Sequence, residues 1–265
     1  MIRWGLRDAP VLWFATLRAI VAGVALLAVA TAQRRPRPAG ARQWWLVGLL
    51  GVTNAGVGFA AMFAGVDGLA TGTAAVLTNA QPLLILLPAW WLYGERVTAR
   101  MSVGLVAGFV GLLVVAVPGG GGSGAWLSIL AASAITAGTL LSRRLAGIDV
   151  VQAAGWHFLI GGTVLAVVAG AVEGLPRIDW TLRFVLSLAF LALIGSALAF
   201  WAWFTETLRS PLGQLAAWTF LAPVFGIIFG LLLTSERPGG WTLAGMALVL
   251  ASLWTAVRSP PAAAR

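Results

Sequence analysis

The sequence has no cysteine, and only one histidine and one tyrosine among its 265 residues. The absence of cysteine excludes disulfides, thiolate chemistry and cysteine-ligated metal sites. A catalytic site would need a nucleophile with a base, or a cluster of metal ligands, and one histidine with one tyrosine offers little for either. We therefore predict no cofactor and no bound metal, and an enzyme is not the favoured class.

Charged side chains are also scarce: they make up 9% of the chain, against 60% hydrophobic residues. A soluble protein carries about a quarter charged residues, so this chain lacks the polar surface that water requires. It is predicted to be an integral membrane protein, with the lipid bilayer as its surroundings. The net charge of +9 comes from arginines that lie between apolar runs, a pattern of membrane orientation and not of nucleic-acid binding.

The apolar runs are long enough for transmembrane helices. A helix needs roughly 20 apolar residues to cross a hydrocarbon core of about 30 Å. Runs of this length predict an all-α polytopic membrane protein with about nine transmembrane helices. The predicted spans, numbered one to nine, are residues 11–32, 44–66, 69–93, 101–117, 125–142, 152–172, 183–205, 212–234 and 241–257.

Arginines between the spans predict the orientation. The loop after span one carries Arg34, Arg35, Arg37 and Arg42, and arginine accumulates on the cytoplasmic side of short loops. With that loop inside, counting arginines by side of the membrane gives 11 cytoplasmic and 5 external. We expect a multi-pass protein of the cell (inner) membrane with a cytoplasmic C-terminus.

The chain carries an internal duplication. Superposing Pro223 on Pro82 gives an offset of 141 residues (223 − 82 = 141), and the same offset pairs Glu236 with Glu95 without a gap. Equivalent spans lie five helices apart, so the two copies cross the membrane in opposite directions and form an inverted repeat. Further identities at this offset are Phe59 with Phe200, Phe63 with Phe204, Gly72 with Gly213, Thr78 with Thr219, and Gly104 with Gly245.

The duplication predicts the domain organisation. Residues 1–118 form a first repeat of four helices, and residues 125–258 form a second repeat of five. The glycine-rich run at 119–124 is predicted to be a flexible linker, and residues 259–265 a cytoplasmic tail. A five-helix unit leaves the first copy one helix short of the ten-helix form. Either the true start lies upstream, or the chain is a nine-helix variant.

These features resemble the EamA-like transporters of the drug/metabolite transporter superfamily. The resemblance rests on a doubled segment in which proline is followed thirteen residues later by glutamate, in QPLLILLPAWWLYGE and APVFGIIFGLLLTSE, with a glycine-rich helix after it. It covers nearly all of residues 11–258. Such proteins are ten-helix carriers of small metabolites, many of them exporters. The resemblance implies a cavity lined here by spans two, three, five, seven and eight.

Polar side chains inside the predicted spans are the candidates for contact with a solute. Burying an amide or hydroxyl without a partner costs roughly 1–3 kcal/mol, so each one must face another helix or a wet cavity. Hydrogen bonds between helices alone would also satisfy them. The predicted cavity residues of this kind are Asn54, Thr78, Asn79, Gln81 and Gln214.

Prolines and tryptophans complete the predicted cavity. Pro82 and Pro223 lie within spans three and eight, where a proline removes a helical hydrogen bond and can kink the helix. Such a kink forms a cavity wall or hinge, or is tolerated for packing alone. Trp201 and Trp218 are included because aromatic walls suit apolar or cationic solutes. Interface anchoring is the alternative role for Trp201.

Ionisable residues inside the spans are functional candidates by default. His157 is predicted as a proton-coupling group, together with Glu206, because imidazole exchanges protons near neutral pH. The alternative is a structural role, in which the His157 ring simply bonds a backbone carbonyl. Arg18 lies near enough to the start of its helix to extend its charge to the membrane interface.

The favoured function is a secondary transporter that exports small metabolites, amino acids or drug-like solutes by alternating access. An intramembrane lipid-modifying enzyme and a non-transporting sensor or scaffold are the alternatives. Small-residue patterns such as Gly104 with Gly108 allow close helix approach. They fit packing within one bundle, with homodimerisation as the second use. The expected partners are a small solute and lipid, with no nucleic acid.

Overall fold

A computed structural model describes residues 1–68, 80–95, 98–116, 125–221, 224–225 and 239–257. Every regular element within these residues is a helix, which confirms the predicted all-α class. The chain forms two compact units. Unit 1 contains Met1–Asp67 and Ser133–Arg209, and unit 2 contains Gly68–Ala132 and Ser210–Arg265. Each unit therefore combines a segment from each predicted repeat.

The helices include two wide π-helical segments, which we name π1 and π2. Short 3₁₀ turns lie at Arg143–Leu145 and Trp218–Phe220. In chain order the elements are α1 (Ile2–Gly5), α2 (Val11–Ala32), α3 (Ala41–Leu50), π1 (Gly51–Gly58), α4 (Phe59–Gly68), α5 (Gln81–Leu84), α6 (Leu86–Tyr93), α7 (Ala99–Ala116), α8 (Ala125–Ser142), α9 (Val150–Val172), α10 (Leu182–Ala189), π2 (Phe190–Leu198), α11 (Ala199–Thr207), α12 (Leu212–Ala217) and α13 (Gly240–Val257).

Five helical stretches are long and apolar enough to cross a membrane, by length and composition. Shorter apolar helices lie at Ala99–Gly111 and Leu243–Ser252. The described residues thus support a multi-pass helical protein, but not the full count of nine spans. Of predicted span three, the structure describes only the part from residue 80 onward. This part divides at Ile85 into α5 and α6. The five long stretches are Val11–Ala32, Ala41–Gly65, Trp126–Leu145, Val150–Val172 and Leu182–Thr207.

The core of unit 1 is the packing of α2 against α9. Glu173, at the end of α9, accepts hydrogen bonds from the backbone amides of Leu12 and Trp13 at 2.9 and 3.1 Å. These bonds cap the start of α2 and show that the two helices are antiparallel. The backbones approach closely, because a Cβ atom built on Gly23 would lie 3.0 Å from the carbonyl oxygen of Gly155.

Two acid–arginine pairs lie at opposite ends of this antiparallel helix pair. Asp8, just before α2, accepts two hydrogen bonds from Arg183: Nε to Oδ2 at 2.8 Å and Nη2 to Oδ1 at 2.5 Å. Asp149, just before α9, binds Nη1 of Arg35 through Oδ2 at 2.9 Å. The Oδ1 atom of Asp149 accepts from the amides of Val151 and Gln152, each at 3.0 Å, and caps α9.

Equivalent elements recur at the 141-residue spacing. Shifting α2 by 141 residues gives 152–173, close to the bounds of α9, and shifting π1 gives 192–199, close to the bounds of π2. In unit 2, α7 shifted in the same way gives 240–257, the bounds of α13. Regular and irregular elements alike therefore repeat at the spacing of the sequence duplication.

Unit 2 packs α7 against α13. A Cβ atom built on Gly111 would lie 3.0 Å from the carbonyl oxygen of Gly245, so glycine permits this close approach. Glu95, which follows α6, accepts hydrogen bonds from the amides of Leu212 and Gly213 at 2.8 and 3.4 Å. It thereby caps the start of α12.

Candidate functional site

The polar interior of unit 1 is the candidate functional site. Its helices are long and apolar enough to span a membrane, yet they bury a cation, an imidazole, an amide and several hydroxyls. Buried polar groups in such helices must be paired or must face a polar cavity. The residues that matter are Arg18, Asn54, Thr139, Ser142, His157, Ser196 and Thr207.

Arg18 lies in α2 with only 6% of its surface exposed. Its Nε donates to Oγ of Ser196 at 2.8 Å, and its Nη2 donates to the carbonyl oxygen of Gly195 at 3.2 Å. Its guanidinium carbon lies 4.4 Å from the ring centroid of Phe59 and 5.7 Å from that of Phe63, in cation–π contact. The side chain points into unit 1, so the interpretation in which it extends to the membrane interface is wrong.

The π2 segment supplies the acceptors for Arg18. A π-helical turn replaces the bond to the fourth residue with one to the fifth, and so displaces backbone groups from the regular ladder. Oγ of Ser196 donates to the carbonyl of Leu191, five residues earlier, at 2.9 Å, and also accepts from Arg18. A Cβ atom on Gly195 would lie 3.9 Å from Nη2 of Arg18, an ordinary van der Waals distance, so the guanidinium does not require a glycine there.

No carboxylate lies within ion-pair distance of Arg18 in the described part of the chain. Arg35 and Arg183, at the ends of the α2/α9 pair, each have an aspartate partner. Both hydrogen bonds of Arg18 go instead to neutral acceptors. A buried cation without an anion is costly, which makes Arg18 a strong functional candidate.

His157 is fully buried in α9 among aromatic rings. Its ring centroid lies 4.1 Å from that of Phe158, 5.1 Å from Phe204 and 5.7 Å from Phe200. Its Nδ1 lies 2.6 Å from the carbonyl oxygen of Ala154, and because a carbonyl only accepts, Nδ1 carries the hydrogen. Its Nε2 has no hydrogen-bond partner among the described residues. Proton coupling through His157 stays a prediction.

Asn54 lies in π1 with 1% of its surface exposed. Neither Nδ2 nor Oδ1 has a hydrogen-bond partner within the described ranges. The side chain faces α8 at Gly138, where an added Cβ atom would lie 2.5 Å from Nδ2 of Asn54. Asn54 is therefore a buried amide whose side chain makes no hydrogen bond to the described part of the chain.

A hydrogen-bonded seam links α8 to α11, between residues 64 and 65 positions apart in the chain. Nε1 of Trp203 donates to Oγ1 of Thr139 at 3.2 Å, and Oγ of Ser142 donates to Oγ1 of Thr207 at 3.0 Å. These groups satisfy one another across the two helices. The seam is thus a packing feature, in contrast to Asn54.

Two further predicted residues, Trp201 and Glu206, belong to unit 1. Trp201, 42% exposed, lines an apolar groove of about 350 Å³ formed by α2, α9, π2 and α11. Arg35 and Leu26 also line this groove, and Asn54 does not. Glu206 is half-buried near the end of α11.

The remaining predicted cavity residues of the described chain belong to unit 2. Gln81 and Pro82 are buried at the first two positions of α5, where proline removes no helical hydrogen bond, and the helix is interrupted at Ile85 instead. Gln214 is half-buried in α12, and Trp218 is 48% exposed at the start of a 3₁₀ turn. The predictions for Thr78, Asn79 and Pro223 fall outside the described residues.

Sequence reasoning missed Ser196 and the π2 segment. The available signal was the duplication itself, because Gly195 is the position equivalent to Asn54 (195 − 54 = 141). Gly195 and Ser196 interrupt an otherwise apolar span, and Gly195 aligns with the polar Asn54 of the first copy. Both copies therefore interrupt their apolar run at the same position. The structure shows that both positions lie in π-helical segments.

A multi-pass helical protein that buries charged and polar groups inside its apolar helices has the architecture of a membrane transporter. The chain belongs to the EamA-like transporter family, whose model matches residues 1–117 and 122–258. This confirms the resemblance found in the sequence. The family is one of transporters and not of enzymes.

Individual proteins show the same similarity. The chain is 30% identical over 259 residues to the WAT1-related protein At3g02690, chloroplastic, of Arabidopsis thaliana; the alignment covers 91% of this chain and 61% of that protein. It is 25% identical to the probable amino-acid metabolite efflux pump of Escherichia coli, over 96% of this chain and 88% of the pump. One protein crystal structure has a TM-score of 0.81 and 20% identity over 94% of this chain and 89% of its own, which shows a shared fold.

Proposed function

We propose that the protein is a secondary transporter that exports small metabolites, amino acids or drug-like solutes by alternating access. Family membership supports a transporter, and the E. coli relative is named as an amino-acid metabolite efflux pump. Inverted repeats suit such a mechanism, because two copies of opposite orientation can exchange conformations and expose a shared site to either side.

The observation that carries this proposal is the buried amide of Asn54, which has no hydrogen-bond partner among the residues that the structure describes. A buried hydrogen-bonding group without a partner costs about 1–3 kcal/mol. A solute that hydrogen-bonds to both Nδ2 and Oδ1 would offset that cost while it is bound. The neighbouring aromatic rings of Phe59 and Phe158, whose centroids lie 5.7 Å apart, would pack against its apolar part.

The proposed setting is the cell membrane, with nine spans of a ten-helix type of inverted repeat and a cytoplasmic C-terminus. The recurrence of α2 and π1 as α9 and π2 at the duplication spacing supports this arrangement. The orientation can be tested with C-terminal fusions. A green fluorescent protein fusion should fluoresce and an alkaline phosphatase fusion should be inactive, and the reverse result would contradict the orientation.

Counterflow into proteoliposomes tests the function. Purified protein would be reconstituted with a mixture of unlabelled amino acids inside and tracer amino acids outside. We expect wild-type uptake above protein-free liposomes and a loss of at least tenfold, about 1.4 kcal/mol, in Asn54→Leu. Val52→Leu is the matched control, since Val52 is 38% exposed on the same segment, and it should retain the wild-type rate. The proposal would be contradicted if wild-type uptake is no higher than that of empty liposomes, both for amino acids and for lipophilic cations.

A further inference from the structure

We infer that Arg18 binds the carboxylate of the transported solute. This inference rests on the proposed transport function and narrows its substrate class to solutes that carry a carboxylate, such as amino acids. It starts from the charge of unit 1. Arg18 is a buried cation without an acidic partner among the described residues, whereas Arg35 and Arg183 are both paired.

The hydrogen bonds of Arg18 leave a defined edge of its guanidinium available. A guanidinium has five N–H donors in one plane. The side edge, formed by Nε and one hydrogen of Nη2, is occupied by Ser196 and Gly195. The end edge, formed by Nη1 and the other hydrogen of Nη2, has no hydrogen-bond partner in the described structure. Two parallel donors at this edge match the two oxygens of a carboxylate.

The surroundings of Arg18 hold this edge in place. Ser196 fixes Nε, and the rings of Phe59 and Phe63 contact the guanidinium. A side chain held in this way loses little conformational freedom when it binds an anion. The aromatic contacts also exclude water, which strengthens an ion pair.

Charge balance favours a carboxylate over a phosphate. One arginine supplies one positive charge, and a carboxylate neutralises it, whereas a phosphate monoester carries nearly two negative charges near neutral pH. The hydrogen bonds and ring contacts of Arg18 in the described chain involve Ser196, Gly195, Phe59 and Phe63, none of which is a cation. An inorganic monoanion such as chloride would match the charge, but a sphere does not use two parallel donors.

The test compares each amino acid with its carboxamide, which lacks the negative charge. In proteoliposome counterflow, unlabelled L-leucine and L-leucinamide, and the same pairs for phenylalanine and threonine, would compete with the tracer amino acid. We expect wild type to prefer the acid by at least tenfold in apparent KM. Arg18→Gln should abolish this preference, and Arg18→Lys should retain part of it. A purely structural role would lower the maximal rate for both members of a pair and leave their ratio unchanged.

Ser196→Ala provides a second, milder variant in case Arg18→Gln does not fold. Removal of the hydroxyl frees Nε of Arg18, so we expect a higher KM for the acid and an unchanged KM for the carboxamide. An acid preference that persists in Arg18→Gln, or that is unchanged in Ser196→Ala, would overturn the role of Arg18.

The remaining outcomes separate the solute class from the transport function. Equal competition by acid and carboxamide in wild type would overturn the role of Arg18 and leave the transport function standing. In a further assay, sodium chloride would replace sodium gluconate. If chloride inhibits tracer uptake as strongly as the acids do, the site is a simple anion site, and the carboxylate assignment is overturned. Absence of any uptake by wild type would contradict the transport function itself.

Discussion

Asp8 and Asp149 lie 141 residues apart (149 − 8 = 141), and each forms an ion pair with an arginine of unit 1. Asp8 precedes α2 and binds Arg183, which follows α9, whereas Asp149 precedes α9 and binds Arg35, which follows α2. Because α2 and α9 are antiparallel, the two pairs lie at opposite ends of unit 1. Both pairs are formed in the same conformation. The Arg35 pair joins the end of α2 to the start of α9, and the Arg183 pair joins the start of α2 to α10.

The pair of Asp8 with Arg183 predicts a stability that depends on acid pH. Hydrogen bonding from Arg183 lowers the pKa of Asp8. The pair therefore stabilises the fold fully above the pKa of an unfolded aspartate, about 3.9, and the effect is lost as the pH falls through the lower folded-state pKa. We expect wild type to melt at a higher temperature than Asp8→Asn at pH 7 and pH 5, with the difference shrinking below about pH 4. Tryptophan fluorescence in detergent would measure the melting temperatures of both proteins. A difference in melting temperature that stays constant down to pH 3 would be inconsistent with this pair.

Asp149 combines a helix cap with an ion pair, and two substitutions separate them. Asp149→Asn keeps a side-chain oxygen for the amides of Val151 and Gln152 but loses the charge that binds Arg35. Asp149→Ala loses both. We expect Ala to be less stable than Asn by about 1 kcal/mol, the usual value of such a cap. The ion pair itself is worth about 0–1 kcal/mol, and Arg35→Gln should show it separately. Denaturant unfolding in mixed micelles would measure each variant, and equal stability of the Asn and Ala proteins would refute the capping role.

Two glycines of α9 differ in their surroundings and form a matched test of packing. A Cβ atom on Gly161 would lie 2.5 Å from the carbonyl oxygen of Gly51 and 2.5 Å from Cβ of Ala55, whereas one on Gly170 would meet nothing within 4 Å. Gly161→Ala should therefore cost about 1–3 kcal/mol through overpacking. Gly170→Ala should be neutral or stabilise the helix by up to about 1 kcal/mol. If both variants unfold at the wild-type denaturant concentration, the close contact of α9 with π1 is not present.

The positions of several spans could be predicted, because apolar length is a local property of the sequence. Predicted spans 11–32 and 125–142 have the bounds of α2 and α8, and predicted span 152–172 begins two residues inside α9. The inward direction of Arg18 could not be predicted in this way. Its acceptors lie 177 and 178 residues away, on a helix whose neighbours the sequence does not specify.

The π-helical segments escaped prediction for a related reason. Their apolar composition resembles that of an α-helix, and the wide turn in π2 accompanies a tertiary contact, the bond from Arg18 to Ser196. Asn54 was singled out because an amide in a span stands out from its neighbours. The side chain is buried, and its role in a cavity stays a prediction. Its grouping with Gln81 in one cavity stays a prediction, since the two residues belong to different units.

The polar interior of unit 1 is proposed to bind the transported solute. Thiol labelling at position 54 is the most direct test of this role. The chain has no cysteine, so Asn54→Cys introduces a single thiol. Membrane vesicles would be treated with a small water-soluble methanethiosulfonate, with and without a saturating concentration of the amino acid that gives the highest counterflow. Val52→Cys, at an outward position of the same segment, is the control.

We expect the thiol introduced at position 54 to react and the solute to slow its reaction at least fivefold, while the reaction at position 52 is unchanged. A thiol at position 54 that does not react, or that reacts equally fast with the solute present, would show that the polar interior of unit 1 does not bind the solute.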